Sequence, residues 1–174
     1  MTCWKQIAAA CALIAGMARG EMIYEGTHEV GLSGALDFDT KDDAVFALDV
    51  SFGRFVMDYW EIGCRGAFST SDVRTSFAGG LFTEHHFEMN ITVLPYVGAS
   101  VGLVAVDFDG DADVEGSDAA FTVGGELGLK GFLTEEVALS GGVEFTWASD
   151  AVYRADNDVE DTEIRLKIGL RFYY

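Results

Sequence analysis

Residues 164–174 alternate without a break between apolar positions and polar or small ones. Ile164, Leu166, Ile168, Leu170, Phe172 and Tyr174 fall on one face of a strand, and Arg165, Lys167, Gly169, Arg171 and Tyr173 on the other, because successive strand side chains point to opposite sides. Strands in soluble sheets commonly run for roughly five or six residues. An alternating stretch about twice that length suits a strand that crosses a bilayer, with hydrocarbon on one face and water or counter-charge on the other.

The same period recurs upstream in residues 28–38, 44–53, 59–68, 74–87, 93–106, 121–130 and 137–147. Two examples show it. Phe46, Leu48, Val50 and Phe52 stand against Ala47, Asp49 and Ser51, and Val137, Leu139, Val143, Phe145 and Trp147 against Ala138, Ser140, Gly142, Glu144 and Thr146. The fourth segment is the most mixed: Phe77, Leu81 and Phe87 share a face with Thr83 and His85, opposite Phe82 and Glu84. Glu84 assigns the second face to the interior. Pro95 lies near a strand start, where a missing ladder donor is tolerated. Eight such segments, punctuated by many of the 21 glycines and no helical period, predict an all-β fold, an eight-stranded antiparallel up-and-down transmembrane β-barrel. Short turns are expected near residues 54–58, 88–91 and 132–136, with longer, acidic connections between them.

The polar faces together carry Glu29, Asp49, Glu61, Glu84, Glu126 and Glu144 against Arg65, Lys130, Arg165, Lys167 and Arg171. That near-balance stands out in a chain of 29 acidic and 11 basic residues. A narrow lumen demands it, since an unpaired charge there costs several kcal/mol. A lumen charge network is therefore expected from Glu29, Asp49, Glu61, Arg65, Glu126, Lys130, Glu144, Arg165, Lys167 and Arg171. The other acids crowd the connections: Asp107, Asp109, Asp111, Asp113, Glu115 and Asp118 without a base, and Asp150, Asp156, Asp158, Glu160 and Asp161 with only Arg154.

Residues 1–20 follow a different logic. Lys5, the short apolar run 7–15, and small residues ending at Ala18 or Gly20 predict a cleaved secretory signal peptide, leaving 21–174 as one barrel domain without a linker. The apolar run is far short of the roughly 20 residues of a transmembrane helix. Ala8, Ala9 and Ala10 before Cys11 lack the large apolar residue of a lipoprotein signal. Cleavage removes Cys3 and Cys11 and leaves Cys64, so no internal disulfide can form. It also removes Lys5 and Arg19 but no acid, deepening a net charge of −18 that excludes charge-driven nucleic-acid binding. With 49% hydrophobic residues and a mean hydropathy of +0.19, disorder is excluded as well.

The segments Gly53-Arg54-Phe55-Val56-Met57-Asp58, Pro95-Tyr96-Val97-Gly98-Ala99-Ser100-Val101-Gly102 and Gly131-Phe132-Leu133-Thr134-Glu135-Glu136-Val137 resemble small outer-membrane barrels, the family of the OmpA membrane domain and OmpX. Such eight-stranded barrels are filled by their own side chains. Lys167, Gly169, Phe172 and Tyr174 match that family's C-terminal assembly signal, with Tyr where Phe is commoner. The resemblance implies an outer-membrane protein of Gram-negative type, porin-like in architecture and handed to the barrel-assembly machinery by its last strand. It further implies a monomer among lipid and lipopolysaccharide, with no cofactor.

Three motifs suggest other chemistry. Gly98-Ala99-Ser100-Val101-Gly102 matches the nucleophile elbow, but that motif works at a strand-to-helix turn and this one lies within a strand. His85 and His86 look like a metal pair, yet neighbours on a strand face opposite ways. Asp107, Asp109, Asp111 and Asp113 are weak calcium candidates, because Ala112 stands where an EF-hand needs its glycine turn; loose divalent bridging to lipopolysaccharide is the milder reading. Two other classes compete with a non-enzymatic barrel. An outer-membrane lipid-modifying enzyme of the deacylase kind carries His-x-Ser, and none of His28, His85 and His86 has Ser two places on. A soluble lipocalin-like barrel would put its apolar face inside, leaving the balanced polar face without a purpose.

Overall fold

The computed structural model describes residues 23–37, 46–71, 74–89, 93–108, 119–150, 152–155 and 158–174. In chain order the strands are β1 (His28–Asp37), β2 (Phe46–Met57), β3 (Trp60–Ser71), β4 (Arg74–His86), β5 (Val93–Phe108), β6 (Ala119–Phe132), β7 (Val137–Ala148), β8 (Tyr153–Ala155), β9 (Asp158–Glu160) and β10 (Thr162–Tyr173). The eight long strands pair antiparallel with their sequence neighbours, and β10 returns to β1, so the sheet closes on itself without an edge. The leader, Asp109, Asp111 and Asp113 lie outside the described residues.

Closure divides every strand into an outer and an inner face, and the alternation read in the sequence maps onto them. Leu81, Leu103, Leu127 and Ile168 are more than half exposed on the outside, whereas Glu29, Glu61, Lys130 and Glu144 on the opposite parity are almost completely buried. The mixed fourth strand follows Glu84: Glu84 and Phe82 are buried inside, and Phe77, Leu81, His85 and Phe87 stand outside. Glycines let the lumen hold its larger side chains. A Cβ on Gly128 would come within 2.5 Å of the Tyr96 ring.

Apolar caps close both ends of this polar interior. Ile23, Phe55, Phe132, Ala138 and Tyr173 pack together at the end of the short turns, and Val104, Val106, Ala120, Ala148 and Val152 at the other. The charges are thereby confined to the middle of the barrel.

Several boundaries differ from the sequence reading. β2 continues to Met57 through a register irregularity between Phe55 and Met57, so the expected turn at 54–58 contracts to Asp58 and Tyr59. Tyr59 adopts a left-handed conformation, φ 63°, to reverse the chain that tightly. Connections do not alternate strictly in length: pairing of β3 with β4 holds as far as Ser71 and Arg74, leaving two residues between those strands. Asp107 belongs to β5, where its backbone pairs with Thr75, and not to the acidic connection. The connection after β7 contains the β8–β9 hairpin.

Candidate functional site

The barrel's distinguishing site is its interior, where side chains from all eight long strands meet. Two like-charged pairs sit directly opposite each other across neighbouring strands: Glu61 with Glu84 on β3 and β4, and Glu126 with Glu144 on β6 and β7. Like charges in register are destabilising. Each pair is tolerated because cations reach it from elsewhere in the barrel.

Towards the long-connection end, Glu144 meets Arg65 (Nη1 to Oε1, 2.6 Å), Arg165 (2.8 Å) and Lys167 (3.7 Å). Glu126 meets Lys167 at 3.3 Å and Arg65 at 3.4 Å, and accepts a 2.5 Å hydrogen bond from the Tyr96 hydroxyl. Arg65 also donates to Ser100, so the serine of the apparent nucleophile elbow serves as an acceptor inside a strand. A cavity of about 50 Å³ beside this group is lined by Asp49, Arg65, Ser100, Glu144, Thr146 and Arg165 among others, room for a few water molecules.

Towards the short-turn end, Lys130 lies 2.8 Å from both Glu29 and Glu84 and 3.7 Å from Glu61. Arg171 holds the other oxygen of Glu29 at 3.0 Å and donates to Ser51 and Ser140. These pairs join residues as far apart in sequence as Glu29 and Arg171, and they cross the seam where β1 meets β10.

Of the ten residues expected in a lumen network, the structure brings nine into these ion pairs. Asp49 departs. It is buried, but its Oδ2 has no hydrogen-bond partner among the described residues; the two arginines that line a cavity with it, Arg65 and Arg165, are paired with Glu126 and Glu144. Sequence parity overlooked Glu163. β10 begins at Thr162, earlier than expected, and Glu163 lies 3.3 Å from Arg165, tipping the interior further towards acid. His86, which the alternation reads as an interfacial or lumen histidine, stands outside the expected charge network. His85 and His86 do face opposite ways, but His86 is buried within reach of Glu84.

On β10, Gly169 and Phe172 of the assembly-signal pattern accompany Lys167, and Tyr174 follows the strand. Phe172 and Tyr174 face outward, and Tyr174 stacks on His28 at 5.5 Å. Trp60 near the short-turn rim and Trp147 near the other are outward as well, each donating its indole N–H, to Thr83 and to Asp161. Two aromatic levels flank an apolar belt, as in barrels set between two interfaces.

A closed eight-stranded antiparallel barrel, apolar outside and ionic within, defines the class of this chain. No family model matches the sequence, and no curated protein does. Solved structures share the fold. The N-terminal β-barrel domain of Pseudomonas aeruginosa OprF is similar at a TM-score of 0.67 with 17% identity, covering 86% of this chain and 98% of that one. Neisserial surface protein A is similar at 0.59 and 16%, covering 84% and 94%. The outer membrane enzyme PagL is similar at 0.53 and 14%, covering 83% and 98%.

Proposed function

We propose that the protein is a non-enzymatic, integral outer-membrane barrel with a role in envelope structure or surface interaction, exported by its leader and inserted as a monomer. The observation that carries this reading is the continuous outward belt of large apolar side chains on all eight long strands, with the charged residues turned inside. An exposed apolar surface on a soluble monomer seldom exceeds a few hundred Å², and a belt round the whole barrel needs lipid to cover it. The same inversion speaks against a lipocalin-like carrier. PagL shares the fold, so architecture alone does not separate enzyme from non-enzyme. What favours the second is an interior in which most charged side chains are tied to one another in ion pairs and sealed by apolar caps. In this reading the lipid and lipopolysaccharide of the membrane are its surroundings, and the outward Phe172 and Tyr174 are presented to the barrel-assembly machinery.

The test is fractionation of cells expressing the chain with and without residues 1–20, with gel mobility compared before and after boiling. The expected result is a leader-dependent membrane fraction whose unboiled form migrates as a compact, heat-modifiable band. A detergent-independent soluble protein would refute the reading.

A further inference from the structure

The short-turn end of the lumen holds three acids, Glu29, Glu61 and Glu84, around two permanent cations, Lys130 and Arg171. Those cations are committed to Glu29 and Glu84. Glu61 is fully buried, and neither of its carboxylate oxygens has a hydrogen-bond partner among the described residues; the Lys130 ammonium stays 3.7 Å away. Buried anions left in that condition need a counter-charge.

His86 is buried against the same group. The Tyr59 carbonyl lies 3.2 Å from its Nδ1 and 2.8 Å from its backbone N–H. A carbonyl can only accept, so Nδ1 carries the proton and Nε2 presents a lone pair. Nε2 has no hydrogen-bond partner among the described residues, and Oε2 of Glu84 is 3.6 Å off. An imidazole lone pair facing carboxylates is repulsive unless a proton or a metal cation stands between them. Holding Nδ1–H on a backbone carbonyl is also how metal-binding histidines are oriented. The left-handed Tyr59, at φ 63°, sets that carbonyl in place.

One ligand atom each from Glu29, Glu61 and His86 lies within 4.8 Å of the others. Bonds of about 2.0–2.2 Å put the ligands of a tetrahedral ion roughly 3.3–3.5 Å apart, so rotation of two glutamate side chains closes the gap. We infer that Glu29, Glu61 and His86 form a binding site for one borderline divalent cation of the zinc type, tying β1, β3 and β4 together at the short-turn end of the barrel. Glu29 contributes a lone pair its ion pairs leave free, since each carboxylate oxygen has two. A nitrogen donor and only three protein ligands disfavour calcium and magnesium, which take larger all-oxygen shells. Phe55 and Tyr173 cap the site, Phe55 packing on His86 at 5.3 Å between ring centres. The ion is therefore taken up while the barrel folds.

The experiment refolds the chelator-stripped chain, residues 21–174, into detergent with zinc chloride, removes free metal, and measures bound zinc per heat-modifiable barrel. Cobalt(II) substitution supplies a visible spectrum of its coordination. The expected result is one zinc per barrel that equimolar calcium or magnesium does not displace, and a higher unfolding midpoint with zinc than without. Glu61→Gln and His86→Asn, the latter keeping a group able to reach the Tyr59 carbonyl, should each weaken binding by at least about 100-fold, beyond the 10–100-fold loss typical of outer-shell partners. Neutralising Asp109, Asp111 and Asp113 together should leave it unchanged. A heat-modifiable wild-type barrel that retains no zinc overturns the inference and leaves a proton as the missing counter-charge. Zinc retained in both variants and lost with the loop aspartates overturns it too. The band itself reports whether the barrel has formed, so failure of this site and failure of the membrane-barrel reading are distinguishable.

Discussion

Glu144→Ala is the sharpest probe of the lumen. The Glu144 side chain is 1% exposed and meets three cations, Arg65, Arg165 and Lys167. Its removal leaves Glu126 to serve both Arg65 and Lys167, and takes from Arg165 its 2.8 Å ion pair while the longer one to Glu163 stays. Breaking a buried ion pair from one side costs about 3–5 kcal/mol. With a denaturant slope of about 2–3 kcal/mol per M urea, the midpoint should fall by about 1–2.5 M. Glu135→Ala, in the exposed turn between β6 and β7, should stay within about 0.5 kcal/mol of wild type. Urea titrations in detergent, scored by the unboiled band, measure both. The double variant Glu144→Ala, Arg165→Ala should lose less than the sum of the single losses, because each substitution has already removed part of what the other removes. Equal midpoints for Glu144→Ala and Glu135→Ala would refute the network as a source of stability.

Ile168, half exposed on the outer face near the middle of β10, should not tolerate arginine, at about 2–4 kcal/mol near the bilayer midplane. Lys167→Arg, one residue away inside the lumen, should assemble normally, and equal band yields for the two variants would contradict the face assignment. Tyr173→Ala opens the apolar plug that Tyr173 forms with Phe55 and Phe132 and should lower stability in detergent by about 3–5 kcal/mol, the usual loss for a buried large aromatic. Tyr174→Ala, on the outer face, should refold normally but assemble more slowly in cells, as pulse-chase labelling would record. With the lumen filled by buried side chains such as Glu29, Glu61, Lys130 and Glu144, purified protein in planar bilayers should carry no sustained current; a large, stable conductance would point to a wider or oligomeric pore.

Much of this was legible in the sequence because a strand's period is two and the bilayer asks for the same answer at every outward position. Strand number, the facing of Glu84 against Phe77, and the inward set of charges all follow from parity, which is local. Partnership is not local. Glu29 finds Lys130 and Arg171 only because β10 closes onto β1, and Glu126 stands beside Glu144, an unfavourable neighbour, only because the register of β6 and β7 puts it there. The same geometry leaves Oδ2 of Asp49 without a hydrogen-bond partner among the described residues and gathers His86 with Glu29 and Glu61. Adjacent histidines gave no sign of that group, since its members come from three strands. Sequence alone determined which residues enter the lumen, through alternation. Closure and register, which depend on every strand at once, decided which of them meet.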